Sequence, residues 1–123
     1  MLDSSSVMAF VATSNAEKAR AFYSDILGLR LVSDEPYALV FDAHGTTLRI
    51  QKISVITPAP FTVLGWVVDD IATTISGLST RSVVFERYPG MEQDGLGVWN
   101  SGRAKIAWFK DPDGNTLSLT QIG

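Results

Sequence analysis

The sequence predicts an α+β chain of two paired βαβββ modules, and three observations predict it. β-rich and amphipathic segments follow one another in the same order twice, a proline-bounded break separates the two runs, and the runs superpose with a constant register inside each element. At 123 residues, with 46% hydrophobic and 19% charged residues, the chain has the size and balance of one folded domain. A chain of this length buries roughly two thirds of its unfolded surface, enough for a core without disulfides. Residues 1–123 are therefore expected to form a single domain, with module one at about 7–53, module two at about 62–121 and a linker at 54–61.

In module one, Val7 to Thr13 is mostly apolar and reads as a strand, and Ser14 with Glu17 three residues on reads as a capping box that opens a helix. Ala19, Phe22, Tyr23, Ile26 and Leu27 then recur at helical spacing, and Gly28 supplies a left-handed stop. Leu29 to Ser33, Tyr37 to Asp42 and Thr46 to Lys52 are short β-rich runs. The last two are joined by Asp42-Ala43-His44-Gly45, where glycine suits a positive φ. Pro58-Ala59-Pro60 fits neither a ladder nor a helix and ends the module.

Module two repeats the order: strand Thr62 to Val68, helix start Asp69-Asp70, helix Ile71 to Thr80, then strands Val83 to Tyr88, Ala104 to Lys110 and Thr116 to Gln121. Setting Met8 on Val63 brings Ser14-Asn15 onto Asp69-Asp70 and Phe10 onto Gly65. Farther on, Asp42, Gly45, Thr47 and Leu48 fall on Asp111, Gly114, Thr116 and Leu117. The symmetry is broken by Pro89 to Arg103, a glycine-rich insertion with Met91, Asp94 and Trp99 that reads as a loop holding at most one short strand, of the sort that borders binding sites.

Charge and composition exclude several functions. Ten Lys and Arg stand against 13 Asp and Glu, a formal charge of -3 with no basic cluster, so nucleic acid is not an expected partner. No apolar run reaches membrane-span length, and the start of the chain lacks the charged and apolar regions of a secretory signal, so a cytoplasmic protein is expected. With no cysteine and one histidine, thiolate metal sites, disulfides and multi-histidine sites drop out.

Because strand side chains alternate, one parity must cover the helices. Val7, Ala9 and Val11; Leu48 and Ile50; Leu64, Trp66 and Val68; and Leu117 and Leu119 are uniformly apolar and suit that role. The opposite parity is mixed: Met8, Phe10 and Ala12, Arg49 and Gln51, Val63, Gly65 and Val67, Ser118 and Thr120, with Ile106 and Trp108 beside them. Apolar and aromatic groups with a few polar ones match the lining of a ligand site. A covered second sheet surface would look the same.

Ala21-Phe22-Tyr23-Ser24-Asp25-Ile26-Leu27-Gly28-Leu29 and Phe109-Lys110-Asp111-Pro112-Asp113-Gly114-Asn115, set on paired βαβββ modules, resemble the vicinal oxygen chelate superfamily of glyoxalase I, bleomycin-resistance proteins and extradiol dioxygenases. The resemblance runs from about Val7 to Gln121. It implies a cupped mixed sheet, and a homodimer in which two chains complete the cups. Enzymes of that superfamily hold a divalent metal through up to four His, Glu or Gln side chains, and the matching positions here are Met8, Arg49, Val63 and Ser118. None of the four is a suitable ligand, so no metal or other cofactor is expected.

His44 and the pair Asp111 and Asp113 are read as turn residues rather than chemistry. Arg49 needs either an anionic or carbonyl-bearing ligand or an internal carboxylate such as Glu86. The candidate ligand-binding residues are Met8, Phe10, Arg49, Gln51, Val63, Gly65, Trp99, Trp108 and Ser118, with Tyr88 as a further stacking surface. The expected function is metal-independent binding of a small aromatic or amphipathic organic molecule, with no assigned catalytic residue. The alternatives are a metal-dependent glyoxalase-like lyase, isomerase or dioxygenase with a non-standard site, and a subunit whose mixed face is covered by another chain.

Overall fold

Two runs of alternating apolar residues give two sheets. The computed structural model describes all 123 residues, and the chain divides into two compact units, Met1–Thr57 and Pro58–Gly123. The first holds β1 (Met8–Thr13), α1 (Ala16–Ala21), β2 (Arg30–Asp34), β3 (Ala38–Ala43) and β4 (Thr46–Lys52). The second holds β5 (Thr62–Val67), α2 (Ile71–Ser79), β6 (Trp99–Asn100), β7 (Ala104–Lys110) and β8 (Thr116–Ile122). Each unit has one four-stranded mixed sheet, ordered β1-β4-β3-β2 and β5-β8-β7-β6, with β1 parallel to β4 and β5 parallel to β8.

In the first unit the helical stripe buries Ala19, Phe22 and Tyr23, and the strands contribute buried Val11, Leu39, Phe41, Leu48 and Ile50. Tyr23 is wholly buried, edge-on to Phe22 at 5.2 Å and tilted against Phe41 at 6.1 Å. After Ala21 the helix widens into a π-type turn over Phe22–Ile26, closed by the Leu27 amide donating to the Phe22 carbonyl, and Gly28 leaves it at φ 76°. Two expectations at the start of this unit are corrected. Val7 precedes β1 and is exposed, so it lies outside the core. The cap is Asn15 rather than Ser14: Thr13 Oγ1 accepts from the Asn15 amide, which carries the turn one residue on, and Asn15 Oδ1 accepts from the Lys18 amide at 3.1 Å. Asp70 caps α2 in the same manner, accepting from the Thr73 amide at 3.1 Å.

The repeat holds in the ladders. Ala9 opposes Leu48 and Phe10 opposes Arg49, just as Leu64 opposes Leu117 and Gly65 opposes Ser118. One residue disturbs it. Thr62, not Val63, opposes Thr116, so Val63 is the extra residue of a β-bulge, and the bulge sets Thr62 on the Thr116 side of the sheet. The second hairpin loop is also one residue longer than the sequence superposition allows: Leu48 opposes Phe41 and Leu117 opposes Phe109, so Lys110, not Asp111, occupies the place of Asp42.

The expected strand Val83 to Tyr88 does not form a ladder. It makes one bridge, Phe85 to Phe109, and the Glu86 amide donates to the Trp108 carbonyl at 2.8 Å. Beyond that point the side chain of Gln93 takes the ladder's place, accepting from the Tyr88 amide at 2.8 Å and donating to the Glu86 carbonyl at 2.9 Å. The fourth strand of this sheet is instead β6, drawn from the insertion and opposing Ile106 and Lys105 of β7.

Candidate functional site

With helices on one side, each sheet presents an open face of the opposite parity. In the first unit the rows are Met8-Thr47-Asp42, Phe10-Arg49-Val40 and Ala12-Gln51-Ala38. Met8 is 48% and Phe10 50% exposed, so this face carries apolar side chains in water. The Arg49 guanidinium reaches Glu35 at 3.5 Å, and Glu35 also accepts from the Ser33 hydroxyl at 2.9 Å. The partner of Arg49 is thus Glu35, while Glu86, the carboxylate singled out from the sequence, sits 3.6 Å from Lys110. Nearby, Lys52 donates to Asp34 at 2.5 Å and holds its carboxyl below the usual carboxylate range, aided by Arg20.

On the open face of the second unit, Gly65, Ser118 and Trp108 form one row. Gly65 is there for space. A Cβ on it would lie 2.5 Å from Ser118 Oγ, so the serine hydroxyl projects over the glycine. Trp108 anchors an aromatic cluster with Tyr88 edge-on at 5.6 Å and Trp99 tilted at 6.4 Å, and its indole N–H donates to Thr62 Oγ1 at 3.1 Å. Burial, with the Glu86 charge adding to it, pushes the Tyr88 phenol above its ordinary value, so it is protonated at neutral pH.

Two cavities flank this cluster. One, of about 280 Å³, lies among Pro60, Phe61, Thr62, Tyr88, Met91, Trp108 and Thr116, and the other, of about 570 Å³, is lined by residues 88–92 and Trp99. Their rim is preorganised. Besides the bonds already given, Gln93 donates to the Gly97 carbonyl at 2.8 Å, Arg87 donates to the Gly95 carbonyl at 2.8 Å, and Asp94 Oδ1 accepts from the Leu96 and Val98 amides. A third cavity of about 550 Å³ opens against α2, with Ile71, Leu96, Trp99 and Lys105 in its walls.

Of the sequence candidates, Met8, Phe10, Arg49 and Gln51 share the first unit's open face, while Gly65, Ser118, Trp108 and Trp99 gather in the second, with Val63 at its bulge. Phe61, Thr62 and Thr116 line the smaller cavity although the sequence does not mark them as candidates. Thr62 sits on this face only because of the bulge, which no turn residue signals, and Thr116 reads as an ordinary strand residue.

The remaining polar candidates are structural. His44 and Gly45, at φ 52° and 91°, form a two-residue hairpin loop, exposed, with Asp42 accepting from the Gly45 amide. Asp111 is buried and accepts from the Asp113 and Asn115 amides at 2.9 Å and from Asn115 Nδ2 at 2.8 Å. At the four positions that the resemblance ties to metal stand a thioether, a guanidinium already facing Glu35, an isopropyl group and a hydroxyl, a donor set that does not fit a divalent ion. Nowhere do three or more His, Cys, Asp or Glu side chains converge.

Sheet order, paired modules and both sequence motifs define a class, and the comparisons agree with it. The chain belongs to the Glyoxalase/Bleomycin resistance protein/Dioxygenase superfamily, whose profile matches residues 6–119. Among solved structures it is similar to TnmS3, an antibiotic binding protein from Streptomyces sp. CB03234, at 26% identity and a TM-score of 0.77, covering 100% of this chain and 99% of that one. It is also similar to a glyoxalase/bleomycin resistance protein from the same organism, at 27% identity and a TM-score of 0.70, covering 95% and 100%. A lactoylglutathione lyase from Agrobacterium tumefaciens, at 17% identity and a TM-score of 0.68 over 95% and 93% of the two chains, shares the fold. No curated protein sequence is similar enough to add to the comparison. No helix is long and apolar enough to cross a membrane.

Proposed function

We propose that this chain binds a small aromatic or amphipathic organic molecule without a metal, and does so in the cytoplasm. The observation that carries the reading is the Trp108, Tyr88 and Trp99 cluster, which bounds two cavities and is only partly buried. Aromatic faces kept at a cavity wall cost solvation unless something planar covers them. Sequestration needs a shaped surface and no general base, which suits candidate residues whose polar groups are the Ser118 hydroxyl, the Gln51 amide and the Arg49 guanidinium. The similarity to an antibiotic binding protein supports the same reading. On it, the ligand-binding residues of the second unit are Val63, Gly65, Trp99, Trp108 and Ser118, those of the first unit are Met8, Phe10, Arg49 and Gln51, and a second copy of the chain covers the apolar residues that each face exposes.

The test is a thermal-shift screen of planar aromatic and amphipathic compounds, since a ligand at a hundred times its Kd adds about 2.7 kcal/mol to stability. At least one such compound raises Tm, and chelator treatment leaves the shift intact. A screen with no stabilising compound, or a shift that vanishes with chelator, overturns the proposal. Light scattering showing a monomer at every concentration overturns the dimer.

A further inference from the structure

The cavity of about 280 Å³ holds a polar group that the proposed function leaves unused. Thr116 is only 6% exposed and lines that cavity, and its hydroxyl has no hydrogen-bond partner in the protein. Nor is its oxygen sealed away, for no side-chain nitrogen or oxygen is both buried and unsatisfied. A hydroxyl so placed, on a largely buried residue but open to the cavity, is available to bond whatever occupies that cavity.

Its cross-strand partner is Thr62, brought to the same face by the bulge at Val63. The two hydroxyls are not bonded to each other. Thr62 Oγ1 already accepts from the Trp108 indole, so what it has left to offer is chiefly its proton. Two neighbouring hydroxyl donors, one committed to donating, suit one acceptor with two lone pairs, and a carbonyl oxygen is that acceptor. Around them stand the rings of Phe61, Tyr88 and Trp108, with the thioether of Met91 beside them. No cationic side chain lines the cavity, so a neutral acceptor is favoured over an anion.

Resting on the small-molecule reading above, we propose that this cavity is a subsite for a planar aromatic ring bearing a carbonyl group, whose oxygen accepts from Thr116 and Thr62 while the ring lies against Trp108 and Tyr88. Thr116 is a specificity-determining residue of the subsite.

Isothermal titration with a matched pair of probes, 9-fluorenone-2-carboxylate and fluorene-2-carboxylate, tests this, because the two differ only in the carbonyl. The native protein binds the ketone about fivefold more tightly, the effect of roughly one net hydrogen bond. Thr116→Val, which keeps the branched shape, abolishes that preference and leaves fluorene affinity unchanged, whereas Thr116→Ser retains the preference. Equal binding of the two probes to the native protein, or a preference that survives in Thr116→Val, overturns the subsite while the binding reading stands. Failure of both probes to bind, in a protein that binds no other aromatic compound, brings down the binding reading and the subsite with it. The probe comparison on native protein decides the matter even if Thr116→Val does not fold.

Discussion

Replacing Asp111 with alanine removes the acceptor of three hydrogen bonds at once. The Asn115 amide and Asn115 Nδ2 are buried, whereas the Asp113 amide is partly buried and can turn to water. Leaving a buried donor unsatisfied costs about 1–3 kcal/mol, so two such donors put the loss at roughly 3 kcal/mol. For a chain of this size that corresponds to a fall in Tm of roughly 10 °C. Asp111→Asn keeps one oxygen for the two backbone amides but sets an amide nitrogen against Asn115 Nδ2, so it loses about 1–2 kcal/mol. Circular dichroism melts of the three proteins at pH 7 give the order native, Asp111→Asn, Asp111→Ala. If Asp111→Ala melts within about 2 °C of native, the carboxylate does not organise the turn, and a chemical role for it has to be reopened.

Gly65→Ala forces the Ser118 hydroxyl to rotate away from its present position, at a cost of about 1 kcal/mol because only a side-chain tip must move; a crystal structure showing Ser118 unmoved would refute the packing argument. Gln93→Ala cuts three bonds that tie residues 86, 88 and 97 together, so amide hydrogen exchange accelerates at Tyr88 while β7 and β8 stay protected. Because Lys52 lowers the Asp34 pKa, that pair contributes stability above the unfolded carboxylate pKa of about 3.9 and loses it as pH falls through the lower folded value; Asp34→Asn flattens this acid limb in pH-dependent melts. Arg49→Ala changes stability by less than about 1 kcal/mol, since both members of its pair with Glu35 are partly exposed. Any larger effect of that variant falls on ligand affinity, read by titration.

Periodicity made most of the fold legible. Helix stripes, the Gly28 stop and the Thr46–Lys52 strand follow from local sequence, because each is decided by neighbours a few residues away. Misreadings arose where a distant partner decides. Val83 to Tyr88 has every mark of a strand, yet Gln93, outside that run, supplies its bonding partners. Glu35 is not legible as the partner of Arg49, because nothing in the linear pattern shows that the start of the β2–β3 connection reaches back to β4. The aromatic members of the candidate site were readable as large residues of one parity. Thr62 is not, since its parity depends on a bulge, and Thr116, though of the same parity as Ser118, has nothing to mark it off from an ordinary strand residue.

The bulge at Val63 is also what lets two copies of one pattern differ in kind. Straighten the strand there, so that Val63 itself opposes Thr116, and Thr62 would pass to the opposite side of its strand, releasing the Trp108 indole and leaving Thr116 without a neighbour of its own chemistry. A duplicated scaffold gains a new surface cheaply by a local slip of register, because one residue left out of the ladder re-aims the side chain before it while every downstream pairing stays in step.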